Sequence, residues 1–364
     1  MPPLTLFRYI AIRTLLGVGG LMFVFSTLIV LIDLIENLRF AGKIEGAGFG
    51  LAISLTLMRT PSLALILTPF IFLFGAIFVF NELNRRSEIS VMRSAGLSVW
   101  RLVGPAAFVA VIYGILVVTV IDPFSAHLLA SAENIKDEHQ GKQNSVLKIL
   151  RDGIWLRQYN GDTQLIINAR NFDEASESLE DVTVLRLDRE SRFIERIDAK
   201  SAQLSSATME MRNVQLKGVA DRDGKTAPVY AIETILTPAD LKTRTPAPET
   251  MSIWQLPKYA ALAEKAGLPT VRHEIRFHDL CATPLKLLAM ILIAAAFSLR
   301  PMRLGGTFGL VVASIAAGFA LYFLSEVSTA LGEAAITPIP LAAWTPALIA
   351  SIAAITALLH LEDG

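Results

Sequence analysis

Six separate runs of apolar residues constrain this chain more than any other feature. They cover about 12–36, 51–80, 102–121, 278–299, 307–330 and 342–360. Each is close to the ~20 residues that a helix needs to cross ~30 Å of hydrocarbon. Inside a bilayer every backbone N–H and C=O must find its partner within the segment, so runs of this length specify helices. The expected fold is a polytopic α-helical membrane protein with six transmembrane helices. Composition agrees, with 53% hydrophobic and 18% charged residues among 364 and a mean hydropathy of +0.50. Lys plus Arg and Asp plus Glu number 33 each, so no charge excess points to nucleic acid. The lone Cys281 excludes an intramolecular disulfide framework and a cysteine-held metal cluster, and reads as a small apolar residue at a helix start. The first run lacks a small-residue cleavage site after a short apolar core, so it reads as a retained span.

Short connections give the orientation. Arg8 and Arg13 attend the first span, Arg85, Arg86, Arg93 and Arg101 lie between the second and third, and Arg300 and Arg303 between the fourth and fifth. The opposite short loop, GEAAITPIPLAA, carries no Lys or Arg. The positive-inside rule then puts both termini in the cytoplasm and residues 122–275 outside.

The pattern changes in that outer segment. IWLRQYNGDTQLIINARNF is two alternating runs around an Asn-Gly turn, a hairpin signal. VTVLRLDRESRFIERIDAKSAQL and MEMRNVQLKGVADRDGKTAPVYAIETIL continue the period-two alternation. The expected division is residues 1–121 for three spans, 122–250 for an inserted antiparallel β domain, 251–275 for an amphipathic connector and 276–364 for three more spans. The connector reads as a short helix stopped by Gly267 and Pro269.

Catalytic and nucleotide motifs fail on spacing. Gly224-Lys225-Thr226 ends like a phosphate-binding loop, but the required first glycine falls on Val219. His273-Glu274 and His278 are five apart; ~100° per residue turns the two imidazoles too far apart to share a metal on a helix. No G-x-S-x-G elbow occurs. The chain reads as a non-catalytic subunit with no cofactor or metal of its own.

Charges inside spans are costly and face a cavity or each other. Here they are Asp33 and Glu36 in span one, Arg59 in span two, Lys286 in span four and Glu326 in span five, with Arg39 and Lys43 just beyond span one. All fall toward the outer side of the membrane in the orientation above. Two readings stand: snorkelling to the outer interface or internal salt bridges on the one hand, and a vestibule open to the outer leaflet that holds an amphiphile with a charged head on the other. Gly305, Gly309, Ala313 and Ala317 recur every four residues in span five. Such a stripe lets a helix approach closely, either within this chain or at a separable seam opening to lipid.

Between spans two and three stands NELNRRSEISVMRSAGLSVW, residues 81–100. At 100° per residue Glu88, Val91, Met92 and Ala95 share one face, with Arg86 and Arg93 toward the other and Gly96 as the helix stop. Glu82 opens the same stretch. It reads either as a basic cytoplasmic connector or as a helix that docks into a partner's groove and offers Glu88 to a basic residue there.

Four stretches together resemble the LptF/LptG (YjgP/YjgQ) lipopolysaccharide export permeases. They are RRSEISVMRSAGLS, AKSAQLSSATMEMRNVQLKG, IRFHDLCATPLKLLAMILIAAAFSLRP and RLGGTFGLVVASIAAGFALYF with PIPLAAWTP, in the family's order and spanning nearly the whole chain. The resemblance implies half of an LptF–LptG heterodimer driven by two copies of the ATPase LptB, which binds the ATP and Mg. Residues 81–100 match the coupling helix, with Glu88 as the acidic residue that pairs with LptB. The periplasmic domain is then jellyroll-like and joins LptC and LptA, spans one and five form lateral gates, and the single LptC helix intercalates at one gate. Arg39 and Lys43 match basic residues that contact lipid A phosphates, while the lysine that some LptG chains carry after the proline of span two is Ser62 here. LRFAGK, the glycine-rich start of span five and PIPLAAWTP look more like LptG than LptF. The alternatives are the LptF subunit and a non-transporting receptor or scaffold with a periplasmic β domain.

Overall fold

The computed structural model describes residues 3–44, 48–139, 145–150, 153–160, 163–173, 178–188, 190, 192–204, 208–218, 224–234, 246–265, 268–299 and 307–363. Two compact units form, Met1–Ala132 with Glu274–Gly364, and Glu133–His273.

Among the described residues of the first unit, six helices are long and apolar enough to cross a membrane. They are α1 (Pro3–Ala41), α2 (Phe49–Arg85), α4 (Val99–Leu116, continued below), α7 (Val271–Ser298), α8 (Thr307–Glu333) and α9 (Ile339–Asp363), and short α3 (Glu88–Ser94) lies between α2 and α4. Four of the expected spans fall inside one of them, the span at 278–299 runs one residue past α7, and the span at 102–121 continues beyond α4. Helix α2 contains Pro61 and Pro69. Each follows a threonine whose hydroxyl donates to the carbonyl four residues back, Thr60 to Thr56 (2.7 Å) and Thr68 to Ala64 (3.0 Å). Neighbouring helices and such side-chain bonds make prolines tolerable in membrane spans.

The core of this unit is built on α2 and α7, through Ile71, Phe72, Leu73 and Phe80 of the one and Leu287 to Ala296 of the other. Ile10 and Val18 of α1, Val103 and Ala106 of α4, Leu321 of α8 and Leu358 of α9 close around them. Only 6% of the most apolar window of α1 and 17% of that of α8 is buried, against 56% for α2 and 61% for α7. The first and fifth spans therefore lie at the edge of the fold and leave large apolar faces for lipid or another chain.

The helix of the third span does not stop with the apolar run at residue 121. It passes through a π-helical turn, Val117–Ile121, straight into α5 (Asp122–His139). Hydropathy measures where the apolar run stops. Residues 126–139 are polar but rich in Ala, Leu, Glu and Lys, good helix formers, so the helix outlasts the hydrocarbon. Residues 122–139 of the segment expected to be β are therefore helix, the second unit begins within α5 at Glu133, and the first described strand starts at Ser145.

The second unit holds seven strands: β1 (Ser145–Leu150), β2 (Gly153–Asn160), β3 (Thr163–Asp173), β4 (Ser178–Leu187), β5 (Phe193–Leu204), β6 (Thr208–Gly218) and β7 (Lys225–Glu233). They form one antiparallel sheet in chain order, and the expected hairpin closes with Asn160 opposite Thr163. The strands are antiparallel as anticipated, and their order is that of a meander. Alternate residues such as Leu165, Ile167, Val182, Val184, Ile197, Met209 and Met211 point into one core, as period-two patterning requires. Helix α6 (Leu256–Lys265) is the predicted connector helix, and Ala263 and Leu268 complete that core. Gly267, its expected stop, lies outside the described residues.

Candidate functional site

The polar stretch between spans two and three is not one helix. Residues 81–85 finish α2, Ser87 takes a left-handed backbone (φ 60°), and α3 runs only from Glu88 to Ser94. Gly96 stops it as expected. At φ +80° its N–H reaches the carbonyl of Arg93 (3.0 Å), and the Leu97 N–H reaches that of Met92 (3.2 Å). These are the two bonds of a Schellman cap, whose left-handed position favours glycine.

Docking of α3 on its own chain decides which side chains face outward. Ile89 is buried, and Met92, expected on the outer face, packs against the core. Val91 is 65% exposed, and Ala95 is also exposed. Arg93 donates to the carbonyl of Leu361 at the end of α9 (3.1 Å), a cation on the negative end of a helix. Arg86 pairs with Glu82 (2.6 Å), and Glu82 also pairs with Arg13 of α1 (3.2 Å). Glu88 accepts a hydrogen bond on Oε2 from the hydroxyl of Tyr9 (2.8 Å), four residues before Arg13 on the same helix. Tyr9 carried no expectation and Arg13 only the orientation of the chain; their i,i+4 spacing on α1 was the available signal.

Of the expected vestibule residues, three come together. Arg59 lies 2.8 Å from Asp33 and 3.6 Å from Glu36. Asn37 donates to Asp33 (2.7 Å) and to Thr56 (3.0 Å), and Thr56 bonds the carbonyl of Ala52 (2.9 Å). The result is a polar seam between α1 and α2 in which Asp33, Asn37 and Thr56 are buried. Of the two readings of these charges, the structure shows the internal ion pair here. Lys286 is paired with Asp279 on its own helix. Arg39, Lys43 and Glu326 are exposed.

A further pair joins α5 to α7. Asp122, with 1% of its side chain exposed, meets Arg276 at 3.0 Å. Asp122 sits just beyond the apolar run of span three, where a span count does not look.

Gly305 of the small-residue stripe lies outside the described residues, and a β-carbon on Gly309 would meet open space. Ala317 packs against the core. The close approach is one residue on, at Gly318, where a β-carbon would run into Leu73 of α2. Among the described residues no group of three or more His, Cys, Asp and Glu is placed to hold a metal.

A family model described as lipopolysaccharide export system permease LptF/LptG matches residues 8–360. The chain is also similar to the lipopolysaccharide export system permease protein LptG of Haemophilus influenzae, 25% identical over 338 residues, which is 89% of either chain.

Proposed function

Because this chain belongs to the LptF/LptG family of lipopolysaccharide export permeases, we propose that it is the membrane subunit through which an ATP-driven exporter extracts lipopolysaccharide from the inner membrane. On this reading the lipid leaves the outer leaflet through a lateral gate and passes to a periplasmic bridge of LptC and LptA. A separate ATPase, LptB, binds ATP and Mg and supplies the energy. The arginines at 8, 13, 85, 86, 93 and 101 support a cytoplasmic placement of both termini and of α3, with the β domain in the periplasm. The named relative favours an LptG-type subunit pairing with an LptF-type partner.

The observation that carries the coupling role is Glu88 on α3. It is a carboxylate at the start of a short, capped helix, beside exposed Val91 and Ala95, while Ile89 and Met92 fix the helix to the core. A rigid two-turn peg with one charge suits a groove on a soluble partner. The first and fifth spans supply the movable surfaces, since α1 and α8 are the least buried of the six.

The test is co-expression with the partner permease and the ATPase. The complex should hydrolyse ATP and move lipopolysaccharide, and the chain purified alone should hydrolyse none. Glu88→Ala should cut coupled transport at least tenfold; full transport by that variant removes the coupling role. Rescue of cells depleted of LptG, and not of cells depleted of LptF, distinguishes the two subunit types.

A further inference from the structure

Tyr9 is placed to do more than pack. Its hydroxyl lies 2.8 Å from Glu88 Oε2, across 79 residues of chain. One turn on, the Arg13 guanidinium stands 5.2 Å from the centre of the Tyr9 ring and 3.2 Å from Glu82 Oε1. Ile10 between them is fully buried, and Ile89, next to Glu88, is 4% exposed in the same core. The first turns of α1 and the start of α3 are thus fixed to a common core, with the tyrosine bridging them at its edge.

We propose that Tyr9 is a positioning residue for the coupling carboxylate: its hydroxyl holds Glu88 in one rotamer, with Oε1 turned out for a cation on the ATPase. The inference rests on the coupling role proposed for Glu88. A glutamate on a solvent-facing turn otherwise samples several rotamers, and freezing them on docking opposes binding. A hydrogen bond to one carboxylate oxygen removes that loss and leaves the second oxygen, which has no bond among the described residues, to accept from the partner. Arg13 completes the arrangement. It sits against the ring, a cation–π contact, and its bond to Glu82 ties the end of α2 to the same turn of α1. Motion of α3 imposed by the ATPase would then reach α1, the exposed first span, directly through Tyr9 and not only through the α2 backbone.

The test is a double-mutant cycle in the reconstituted complex, reading lipopolysaccharide released per ATP hydrolysed. Tyr9→Phe keeps the ring, its packing and the cation–π contact with Arg13, and removes the hydroxyl that bonds Glu88 and also faces Arg13. It should lower the yield per ATP about threefold to tenfold, the range for the net contribution of an ordinary hydrogen bond, as expected where solvent weakens a partly exposed one. In the Glu88→Ala background the same change should add nothing, and the complex should co-purify at wild-type stoichiometry in either background. Wild-type coupling by Tyr9→Phe overturns the proposal. So does an additive loss in the double variant, which would mean that Tyr9 acts on folding or elsewhere. If Glu88→Ala alone couples normally, the carboxylate has no coupling role and the positioning role falls with it.

Discussion

Asp33 of α1 and Arg59 of α2 meet with 2.8 Å between carboxylate and guanidinium, and Asn37 holds the second carboxylate oxygen at 2.7 Å. The seam fixes the two helices together within stretches read as membrane-spanning, where an unmatched charge is expensive. Arg59 is therefore held in an internal ion pair, while Arg39 and Lys43 are exposed; on the proposed function, these two are the cations for a lipid phosphate.

Removing one partner of the seam should cost more than removing both. Asp33→Ala leaves Arg59 with only the more distant and mostly exposed Glu36, and breaking such a buried pair costs about 3–5 kcal/mol. Asp33→Leu with Arg59→Leu should recover most of the loss. Thermal unfolding in detergent reads both; equal losses in the single and double variants would contradict the pairing.

Charge reversal separates the paired cation from the exposed ones. Arg39→Glu with Lys43→Glu should leave the unfolding midpoint unchanged and weaken photo-crosslinking of span one to lipopolysaccharide. Crosslinks at wild-type yield would remove the phosphate contact from these positions.

Asp122→Ala should loosen the junction between α5 and α7, because it strands Arg276 at a largely buried site. A loss of about 3 kcal/mol is expected, read as a lower unfolding midpoint. Faster proteolysis within 122–139 should accompany it, and unchanged cleavage would count against the clasp.

Gly318→Leu should overpack the contact between α8 and α2, since even a β-carbon there meets the fully buried Leu73. A cost of about 1–3 kcal/mol is expected. Gly309→Leu, facing open space, should cost little. The reverse order would place the close approach on the predicted stripe after all.

Burial pushes the Tyr259 hydroxyl of the β domain up to about 12 from 10.0. Below pH 10 the folded and unfolded chains both keep the proton and stability is full. Between pH 10 and about 12 the unfolded chain ionises first, so stability falls as pH rises. Tyr259→Phe should move the alkaline unfolding transition of the intact protein upward; an unmoved transition would show that this hydroxyl does not govern it.

Gly96 and Met92 at α3 show how far local chemistry reaches. Gly96 was legible because a Schellman cap needs only the residues around one left-handed position. Met92 was grouped with the outward face because a seven-residue helix has no face of its own; its docking against α2 and the core decides it. The full length of the third helix was not legible for a related reason, since an apolar run reports hydrocarbon thickness and not where backbone hydrogen bonds stop.

Hydropathy, loop charge, alternation and turn residues are properties of neighbouring residues, and they determined the six spans, the direction of insertion to be expected, the antiparallel sheet and the capped peg carrying Glu88. The partners of the charges were beyond them. Arg276 finds Asp122 across 154 residues and Tyr9 finds Glu88 across 79. Helices apolar around most of their circumference carry no stripe that says which side meets which neighbour. Rotation and depth follow from side chains interlocking at the seams, such as Leu73 against Gly318, and only that packing decided that Arg59 closes on Asp33 while Arg39 and Lys43 stay open.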